Sequence, residues 1–337
     1  MIKEAISTLV AGESLSFEEA SGAMEEIMSG EATPSQVGAF LTALRIKGET
    51  VDEIAGLASV MRSKATPVKT PGSTIDVVGT GGDGSNSFNI STAAALVAAG
   101  VGLKVAKHGN RAASSQCGSA DVLEALGVKI ELSPDGVAKC IESAGIGFMF
   151  APAFHPAMKH AAPTRREIGI RTVFNILGPL TNPARADYML LGVPNEEMGN
   201  KIAAVLQRLG TKHSLVVHGK NGMDEIAISG PSLVWDISKE SVSPPYEVSP
   251  STFGLDEASD AEIKGGTPDE NAAALRRIMD GEKGALRNMV VINAAAALVA
   301  GDITDDLEKG ARLAEEVIDS GRAREKLNRL VEMSQQL

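Results

Sequence analysis

Apolar residues recur at helical spacing through the first 66 residues of the chain. Val37, Phe40, Leu41 and Leu44, for example, would share one face of a helix, because residues three and four apart lie on the same side. Three helix starts are marked by an N-cap residue and a capping-box acid or a proline: Ser16 with Glu19, Thr33 with Pro34, and Thr50 with Glu53. The pattern predicts about four short helices packed as a bundle.

From Pro67 onward, short apolar runs typical of strands alternate with helical patterns. The predicted strands are 75–78, 103–106, 128–132, 147–150, 189–193, 214–218 and 233–237. The predicted helices include 90–99, 121–125, 134–144 and 198–209, with about three more helical runs from Pro268 onward. Strands that alternate with helices indicate an α/β domain with a mostly parallel sheet.

The segment 161–183 interrupts this alternation, because prolines and glycines divide it into short pieces. We expect it to return to the helical part and to make a hinge. The predicted fold class is therefore α/β, with a small helical N-terminal domain and a larger α/β domain around a mostly parallel central sheet. The helical domain would comprise 1–66 with the returning segment, and the α/β domain 73–160 and 184–337.

The composition is that of a folded globular protein, with 43% hydrophobic and 22% charged residues among 337. The formal net charge of −11 argues against a broad nucleic-acid-binding surface but leaves room for a local basic pocket. No signal peptide and no apolar run of roughly 18 residues is present, so we expect a cytoplasmic protein. Cys117 and Cys140 are too few for a disulfide framework, and we expect reduced, buried thiols.

A glycine-rich loop, residues 79–84, follows the first predicted strand and leads into an alanine-rich helix that starts near Asn89. Glycines let the backbone approach a ligand closely, and a helix N-terminus offers unpaired N–H groups to an anion. The same glycines are compatible with a simple structural turn. Asp83 favours a ligand site, where it would meet a sugar hydroxyl, a metal-bound water or a backbone amide. The polar side chains of 89–92 would cap the helix or reach a ligand or metal.

A second candidate loop, residues 107–115, follows the next predicted strand. The carboxyl ends of parallel strands lie at one edge of a sheet, so this loop should meet the glycine-rich loop there. Lys107 and Arg111 would supply positive charge to an anion, and the polar residues that follow would donate hydrogen bonds. In isolation the segment is typical of an exposed basic loop. Ser119, just ahead of the next helix, is predicted to be an N-cap, a phosphate donor, or both.

The adjacent carboxylates Asp224 and Glu225 follow the strand 214–218 and a glycine turn, which should bring them to the same edge of the sheet. Beside a polyphosphate site, two hard oxygen ligands predict Mg²⁺, which binds one or two carboxylates together with substrate phosphates. The pair Arg165-Arg166 lies in the interrupted segment. One of the two is expected to bind a substrate carboxylate and the other to face solvent or an acidic residue.

These motifs follow one another in a particular order along the chain. They are Gly79-Thr80-Gly81-Gly82-Asp83-Gly84, Asn89-Ile90-Ser91-Thr92, Lys107-His108-Gly109-Asn110-Arg111, Gly118-Ser119-Ala120-Asp121, the run RTVFNILGPLTNP at 171–183, and Met223-Asp224-Glu225. In that order they make the chain resemble the anthranilate phosphoribosyltransferases of tryptophan biosynthesis over essentially its whole length. The resemblance implies dimerisation through the helical part. It also implies transfer of the phosphoribosyl group of phosphoribosyl pyrophosphate (PRPP) to the amine of anthranilate, with release of pyrophosphate.

The resemblance also implies roles for individual residues. For PRPP these are Gly79, Gly82, Asp83, Ser87, Asn89, Ser91, Thr92, Lys107, Asn110, Arg111, Ala113, Ser114, Ser115 and Ser119, where Ser87 replaces the threonine of many relatives. For anthranilate they are Gly79, Asn110 and Arg165, with His108, Pro152, His155 and Gly178 lining its path. For Mg²⁺ they are Ser91, Asp224 and Glu225. Catalysis would rest on Lys107, Asp224 and Glu225, because the departing pyrophosphate must be neutralised.

Two alternative functions are compatible with parts of the pattern. A pyrimidine nucleoside phosphorylase would share the architecture, but it would use free phosphate and would not need the Asp224-Glu225 pair. A non-catalytic nucleic-acid-binding relative of this fold would be disfavoured by the net charge of −11.

Overall fold

The structure is a computed structural model and describes residues 1–112 and 115–337. Four helices form the N-terminal part, as predicted: α1 (Ile2–Val10), α2 (Phe17–Ser29), α3 (Pro34–Lys47) and α4 (Val51–Lys64). Ser16, Thr33 and Thr50 cap the last three, each in a reciprocal capping box. The caps satisfy N–H groups that a helix start leaves unpaired.

The described part of the chain contains seven strands and eleven further α-helices. The strands are β1 (Ile75–Gly79), β2 (Val105–Gly109), β3 (Ile146–Phe150), β4 (Tyr188–Gly192), β5 (His213–Gly219), β6 (Ser232–Ser238) and β7 (Tyr246–Val248). The helices are α5 (Ile90–Val101), α6 (Ser119–Ala125), α7 (Pro134–Ala144), α8 (Ala151–Phe154), α9 (Ala162–Ile168), α10 (Phe174–Leu180), α11 (Glu196–Arg208), α12 (Pro268–Met279), α13 (Ala285–Ala300), α14 (Leu307–Asp319) and α15 (Arg322–Gln336). The tail thus has four helices rather than three, and β7 was not predicted.

The strands form one sheet in the order β3-β2-β1-β4-β5-β6-β7. Strands β1 to β5 are parallel, and β6 and β7 pair antiparallel. Side chains alternate between the two faces: Leu190 joins the core that contains α5 and α13, whereas Leu191 joins the core that contains α4 and α11. A mostly parallel sheet covered by helices on both faces confirms the predicted fold class.

Residues 128–132, predicted as a strand, do not form one. Val128, Ile130 and Leu132 are buried and the two residues between them are exposed, as in a strand. Within the described residues, however, this stretch pairs with no strand, and the N–H of Lys129 donates to Ser334 Oγ of α15 at 3.0 Å. The alternating pattern therefore reflected two faces of an extended segment that packs on a helix.

Side chains of the segment 161–183 enter the core of the N-terminal helices. Ala161, Phe174 and Leu177 are buried in one apolar cluster with residues of α3 and α4. On α3, Gly38 lies so close to α9 that a Cβ there would be 3.7 Å from Thr164 Cγ2. The same cluster continues into α11 and one face of the sheet, so the segment joins the helical part to the sheet.

The two cysteines are free and buried, as predicted. Burial raises the pKa of Cys117 and of Cys140 to about 11, so both thiols stay protonated at neutral pH. Among the residues that the structure describes, no helix is both long and apolar enough to cross a membrane.

His213 links the amino end of β5 to two carboxylates. Its Nδ1 lies 2.6 Å from Asp302 Oδ1, in the turn after α13, and its Nε2 lies 3.1 Å from Asp236 Oδ1 on β6. Hydrogen bonding to Asp236, then to Asp302, raises the pKa of the imidazole against the effect of burial. The charged histidine is thus more stable in the folded than in the unfolded chain.

Replacing His213 by Gln should lower the melting temperature at pH 6 by roughly 2 °C, and by much less at pH 9. Because the folded pKa is raised, this stabilisation is present below the unfolded pKa of about 6.5 and is lost as the pH rises through the folded pKa. Scanning calorimetry at both pH values measures the difference. An equal loss at the two values would show that the ring contributes by packing rather than by charge.

Candidate active site

The loops that follow β1, β2 and β5 meet at the carboxyl edge of the sheet, as predicted. The N–H of Gly81, after β1, donates to Asp224 Oδ2, after β5, at 2.6 Å. Asn89 Nδ2, at the start of α5, donates to the carbonyl of Cys117, in the loop after β2, at 3.1 Å. These hydrogen bonds place the three candidate loops in one site.

The glycine-rich loop needs glycine for two reasons. Gly81 and Gly82 have φ angles of +70° and +69°, which side chains rarely adopt. Gly79 has ordinary backbone angles, but a Cβ there would lie 2.3 Å from Asp224 Oδ2. At the end of β4, a Cβ on Gly192 would lie 1.5 Å from the Asp224 carbonyl oxygen. Both strand ends are therefore glycine because Asp224 packs directly against them.

Asp83 is held by backbone amides. Its Oδ1 accepts the N–H of Ser85 at 3.1 Å, and its Oδ2 accepts the N–H of Asp224 at 3.4 Å. Ser87, two residues further on, accepts a hydrogen bond from the Ser85 hydroxyl at 3.1 Å. The backbone amide, one of the three predicted kinds of partner, is therefore present at Asp83.

Asn89 is the N-cap of α5, but its side chain does not cap the helix. Besides its bond to Cys117, the side chain accepts a hydrogen bond from Asn271 Nδ2 of α12 at 2.8 Å. Thr92, in the first turn, is 1% exposed, and its hydroxyl has no hydrogen-bond partner among the described residues. A buried unpaired hydroxyl is costly, so this group favours a bound partner.

Lys107 is buried on β2, directly under the loops, with 2% of its surface exposed. Its Nζ donates to the carbonyl of Val77 at 2.6 Å and lies 3.4 Å from Ser91 Oγ. Burial lowers the pKa of Lys107, whereas the charges of Asp76 and Glu225 raise it. Burial raises the pKa of Asp76 to about 6, and Lys107 opposes that rise. The lysine and Asp76 therefore stabilise each other's charged forms.

Asp224 and Glu225 are both buried beside this lysine, at 8% and 9% exposure. Burial raises the pKa of Asp224, and the nearby Asp83 raises it further. Burial also raises the pKa of Glu225, helped by Asp224, although the Ser91 N–H donates to the Glu225 carboxylate. This cluster of carboxylates is costly without a cation.

His108 and His155 lie side by side, with ring centroids 5.0 Å apart. Burial lowers the pKa of His108 to about 3 and that of His155 to about 4, so both rings are neutral. Each ring contacts a carbonyl in or next to α10, that of Gly178 for His108 and that of Thr181 for His155. The Nε2 atom of each is buried and unpaired within the described residues.

Arg165 and Arg166 occupy different environments. The guanidinium of Arg165 lies 4.8 Å from the centre of the Phe174 ring and, within the described residues, makes no ion pair. Arg166 is exposed. Pro152, on α8, is also exposed. Of the two arginines, Arg165 is the one that packs against α10.

Arg111 is exposed and held by two acidic side chains of α6. Its Nη1 lies 3.0 Å from Asp121 Oδ1 and 2.7 Å from Glu124 Oε2. An anion at this arginine would compete with those ion pairs. Asn110 and Ser115 are exposed nearby, and Ala113 and Ser114 lie outside the described residues.

Ser119 is not an N-cap, contrary to one of its two predicted roles. The helix α6 begins at Ser119 itself, and its N-cap is Gly118. Asp121 supplies the cap interaction, because its Oδ2 accepts the N–H of Gly118 at 2.9 Å. The Ser119 hydroxyl donates to the carbonyl of Asn110 at 3.3 Å and so closes the loop after β2.

Two family models match the chain. The helical bundle domain of a glycosyl transferase family matches residues 3–65, and the a/b domain of a glycosyl transferase family matches residues 71–324. An anthranilate phosphoribosyltransferase from Dehalococcoides mccartyi is 59% identical over 338 residues, covering 100% of this chain and 99% of that protein. The chain belongs to the anthranilate phosphoribosyltransferase family.

Solved structures of anthranilate phosphoribosyltransferases have the same fold. The enzyme from Thermus thermophilus superposes with a TM-score of 0.93 at 47% identity, covering 98% of this chain and 99% of that one. The Saccharomyces cerevisiae enzyme in complex with PRPP and Mg superposes with a TM-score of 0.92 at 29% identity, covering 100% and 98%. A structure of the yeast enzyme with 4-fluoroanthranilate gives a TM-score of 0.89 at 28% identity, with the same coverage.

Sequence reasoning missed two buried residues beneath the anthranilate phosphoribosyltransferase motifs. Asp76 Oδ2 accepts a hydrogen bond from Asn182 Nδ2 at 2.7 Å, and the same nitrogen donates to the carbonyl of Ala106 at 2.8 Å. Asp76 Oδ1 lies 3.3 Å from the N–H of His108. The pair thus connects β1, β2 and the end of the segment 161–183. The sequence does contain one indication of this pair, because Asp76 is a charged residue inside the apolar run 75–78.

Proposed function

We propose that the chain transfers the phosphoribosyl group of PRPP to the amine of anthranilate, giving N-(5-phosphoribosyl)anthranilate and pyrophosphate in tryptophan biosynthesis. The observation that carries this proposal is the convergence of the glycine-rich loop, Lys107 and the Asp224-Glu225 pair at one sheet edge. It is supported by full-length similarity to enzymes of that name, one of them solved with PRPP and Mg.

In this proposal, PRPP binds across the loops after β1 and β2. The glycine-rich loop and the start of α5 would hold the pyrophosphate and ribose through backbone N–H groups and hydroxyls. The residues concerned are Gly79, Gly82, Asp83, Ser87, Asn89, Ser91, Thr92, Lys107, Asn110, Arg111, Ala113, Ser114, Ser115 and Ser119. Lys107 would lie beneath the leaving group as a fixed positive charge, and such preorganised electrostatics is usually the largest catalytic contribution.

The residues near Asp224 fit a magnesium ion. Asp224 and Glu225 are buried carboxylates with raised pKa values, and the N–H of Ser91 donates to Glu225. The carboxylate oxygens and the Ser91 hydroxyl are hard oxygen donors. Among residues 1–112 and 115–337, no group of three or more His, Cys, Asp or Glu side chains is arranged to hold a metal alone. Asp224, Glu225 and Ser91 would therefore bind Mg²⁺ together with substrate oxygens. When bound, Mg²⁺ would neutralise charge on the departing pyrophosphate.

Anthranilate would bind between α10 and the loop after β2. Arg165, stacked on Phe174, would bind its carboxylate, and the neutral rings of His108 and His155 would line its path with Pro152 and Gly178. Gly79 and Asn110 would complete the site at the PRPP side. The amine needs no general base if it is held in line as a neutral nucleophile, so positioning supplies this part of the catalysis.

Replacing Arg165 by Ala should raise KM for anthranilate by about tenfold to a hundredfold, the loss expected for one hydrogen-bonded charge pair, with little change in KM for PRPP. Steady-state kinetics with each substrate varied in turn measures both constants. Arg166→Ala is the matched control, because that arginine is exposed and one residue away. Equal effects of Arg165→Ala on the two KM values would contradict the assignment.

A fluorescence assay of anthranilate consumption tests the proposed reaction. Fluorescence should fall only when PRPP and Mg²⁺ are both present, and pyrophosphate should appear in equal amount. Consumption of a pyrimidine nucleoside with free phosphate, without loss of anthranilate, would assign a phosphorylase instead. Retention of single-stranded DNA in a filter-binding assay, with no turnover, would assign a nucleic-acid-binding function.

We further propose two domains: a helical domain of 1–66 with the segment near 161–183, and an α/β domain of 73–160 and 184–337. We also propose that the protein is cytoplasmic and forms a homodimer through the helical domain. Buried apolar contacts between the segment and α3 and α4 support the division. Val10 and Ile46, apolar and 73% and 81% exposed on α1 and α3, support the dimer surface. Sedimentation velocity would measure the assembly, and cell fractionation the location.

A further inference from the structure

The side chain of Arg171, just before α10, reaches back to the glycine-rich loop. Its Nη1 donates to the carbonyl of Gly82 at 2.7 Å, and its Nη2 donates to the carbonyl of Gly81 at 2.9 Å. A guanidinium presents parallel N–H groups in a rigid fork, which matches two adjacent acceptors. Among the described residues Arg171 makes no ion pair, so these two carbonyls are its hydrogen-bond partners.

The glycine at position 82 is what allows this contact. A Cβ on Gly82 would lie 1.9 Å from Arg171 Nη1, and the φ angle of Gly82 is +69°. The Gly81 peptide is meanwhile fixed from its other side, since its N–H donates to Asp224 Oδ2 at 2.6 Å. Arg171 and Asp224 thus hold the loop between them, one by its carbonyls and the other by an amide.

The two hydrogen bonds from Arg171 determine the direction of two backbone N–H groups. No peptide bond of the described chain is cis, so the N–H of each peptide points away from its carbonyl. With the carbonyls of Gly81 and Gly82 on Arg171, the N–H groups of Gly82 and Asp83 face the opposite side of the loop. Within the described residues neither N–H has a hydrogen-bond partner. They are donors left available to an anion.

We propose that Arg171 is a positioning residue of the PRPP site. It acts through the loop: by holding the carbonyls of Gly81 and Gly82, it keeps the N–H groups of Gly82 and Asp83 directed at the pyrophosphate of the substrate. Because Arg171 lies three residues before Phe174, the first residue of α10, it also connects the loop to the helix of the anthranilate half of the site. That the bound anion is pyrophosphate rests on the proposed function, whereas the hydrogen bonds from Arg171 to the loop do not.

Hydrogen exchange of the ligand-free protein tests whether Arg171 stabilises the glycine-rich loop. In Arg171→Ala, amides of a peptide spanning residues 79–84 should exchange at least about fivefold faster than in the wild type, because the loop loses a charged hydrogen-bonding partner. Arg171→Lys keeps a charged donor group but not the planar fork, so its exchange should be intermediate. Arg166→Ala is the control, since it removes an exposed arginine of the same segment. Unchanged exchange in Arg171→Ala, or equal acceleration in Arg166→Ala, would overturn the proposal.

Binding and kinetics test the role in the site. For Arg171→Ala we expect binding of inorganic pyrophosphate, measured by titration calorimetry with Mg²⁺, to weaken by about tenfold. KM for PRPP should rise by a similar factor, while kcat and KM for anthranilate stay within about twofold. A fall in kcat with unchanged pyrophosphate affinity would overturn the positioning role. A wild-type protein that binds pyrophosphate but leaves anthranilate unconsumed would refute the proposed function alone, because the exchange and pyrophosphate results would still decide the role of Arg171.

Discussion

Replacing Asp224 by Asn together with Glu225 by Gln should lower turnover at limiting Mg²⁺ by about 100-fold or more, because a bound metal supplies several kcal/mol of charge stabilisation. Both substitutions keep the size of the side chain and an oxygen acceptor. The hydrogen bonds from Gly81 and Ser91 can therefore persist, while the anionic ligands are removed. Initial rates of anthranilate consumption across a Mg²⁺ titration measure the effect.

The same double variant should not lose stability. Burial raises the pKa of Asp224 and Glu225 above their unfolded values of about 4. The two carboxyl groups therefore destabilise the folded state increasingly as the pH rises from about 4 through their folded pKa values. Amides do not titrate in this range. In the absence of metal, the melting temperature of the variant should equal or exceed that of the wild type at pH 8, with a smaller difference near pH 4.

A matched control is present in the chain itself. Asp256-Glu257 is the same dipeptide on an exposed loop, and the corresponding Asp256→Asn, Glu257→Gln variant should keep full activity. If the Asp224 and Glu225 variant turned over as the wild type does at limiting Mg²⁺, the metal role would be refuted. If it melted well below the wild type at pH 8, its inactivity would reflect unfolding instead.

Local sequence patterns predicted most of the helices and strands, because the residues that start or end an element lie close together in the chain. The caps at Ser16, Thr33 and Thr50 act within three residues, and each was identified from sequence. Residues 128–132 show the limit of such reasoning. Their alternation reports which side chains are buried, but whether the backbone pairs with a strand depends on what lies beside it, here α15.

For the site, the positions of the loops after the strands predicted that they meet at one edge of the sheet. The sequence did not predict which partners each side chain contacts there. Arg111 is paired with Asp121 and Glu124, ten and thirteen residues further along the chain. Asn182 precedes one of the prolines that divide the segment 161–183, and nothing near it in the sequence indicates that its side chain is buried on Asp76, 106 residues away. Contacts between such distant residues depend on the packing of the whole domain, which no local pattern contains.

Replacing Lys107 by Met should lower kcat/KM for PRPP by about 10²-fold to 10³-fold, the range for loss of one preorganised stabilising group, with the larger part in kcat. Met retains the buried length of the side chain but not its charge, and negative charge grows on the leaving pyrophosphate as the reaction proceeds. The positive charge of Lys107 also opposes the burial-induced rise in the pKa of Asp76. Steady-state kinetics with PRPP varied, combined with melting curves, measures both effects.

The melting temperature distinguishes the two consequences of Lys107→Met. Without the lysine, the folded pKa of Asp76 should rise above its present value of about 6, and an acid with a raised folded pKa loses stability as the pH rises. The variant should therefore melt lower, relative to the wild type, at pH 8 than at pH 5. Lys104→Met is the control. Lys104 lies just before β2 and, within the described residues, donates only to the carbonyls of Ile141 and Glu142. Full activity in Lys107→Met, or an equal loss in Lys104→Met, would exclude Lys107 as the charge beneath the leaving group.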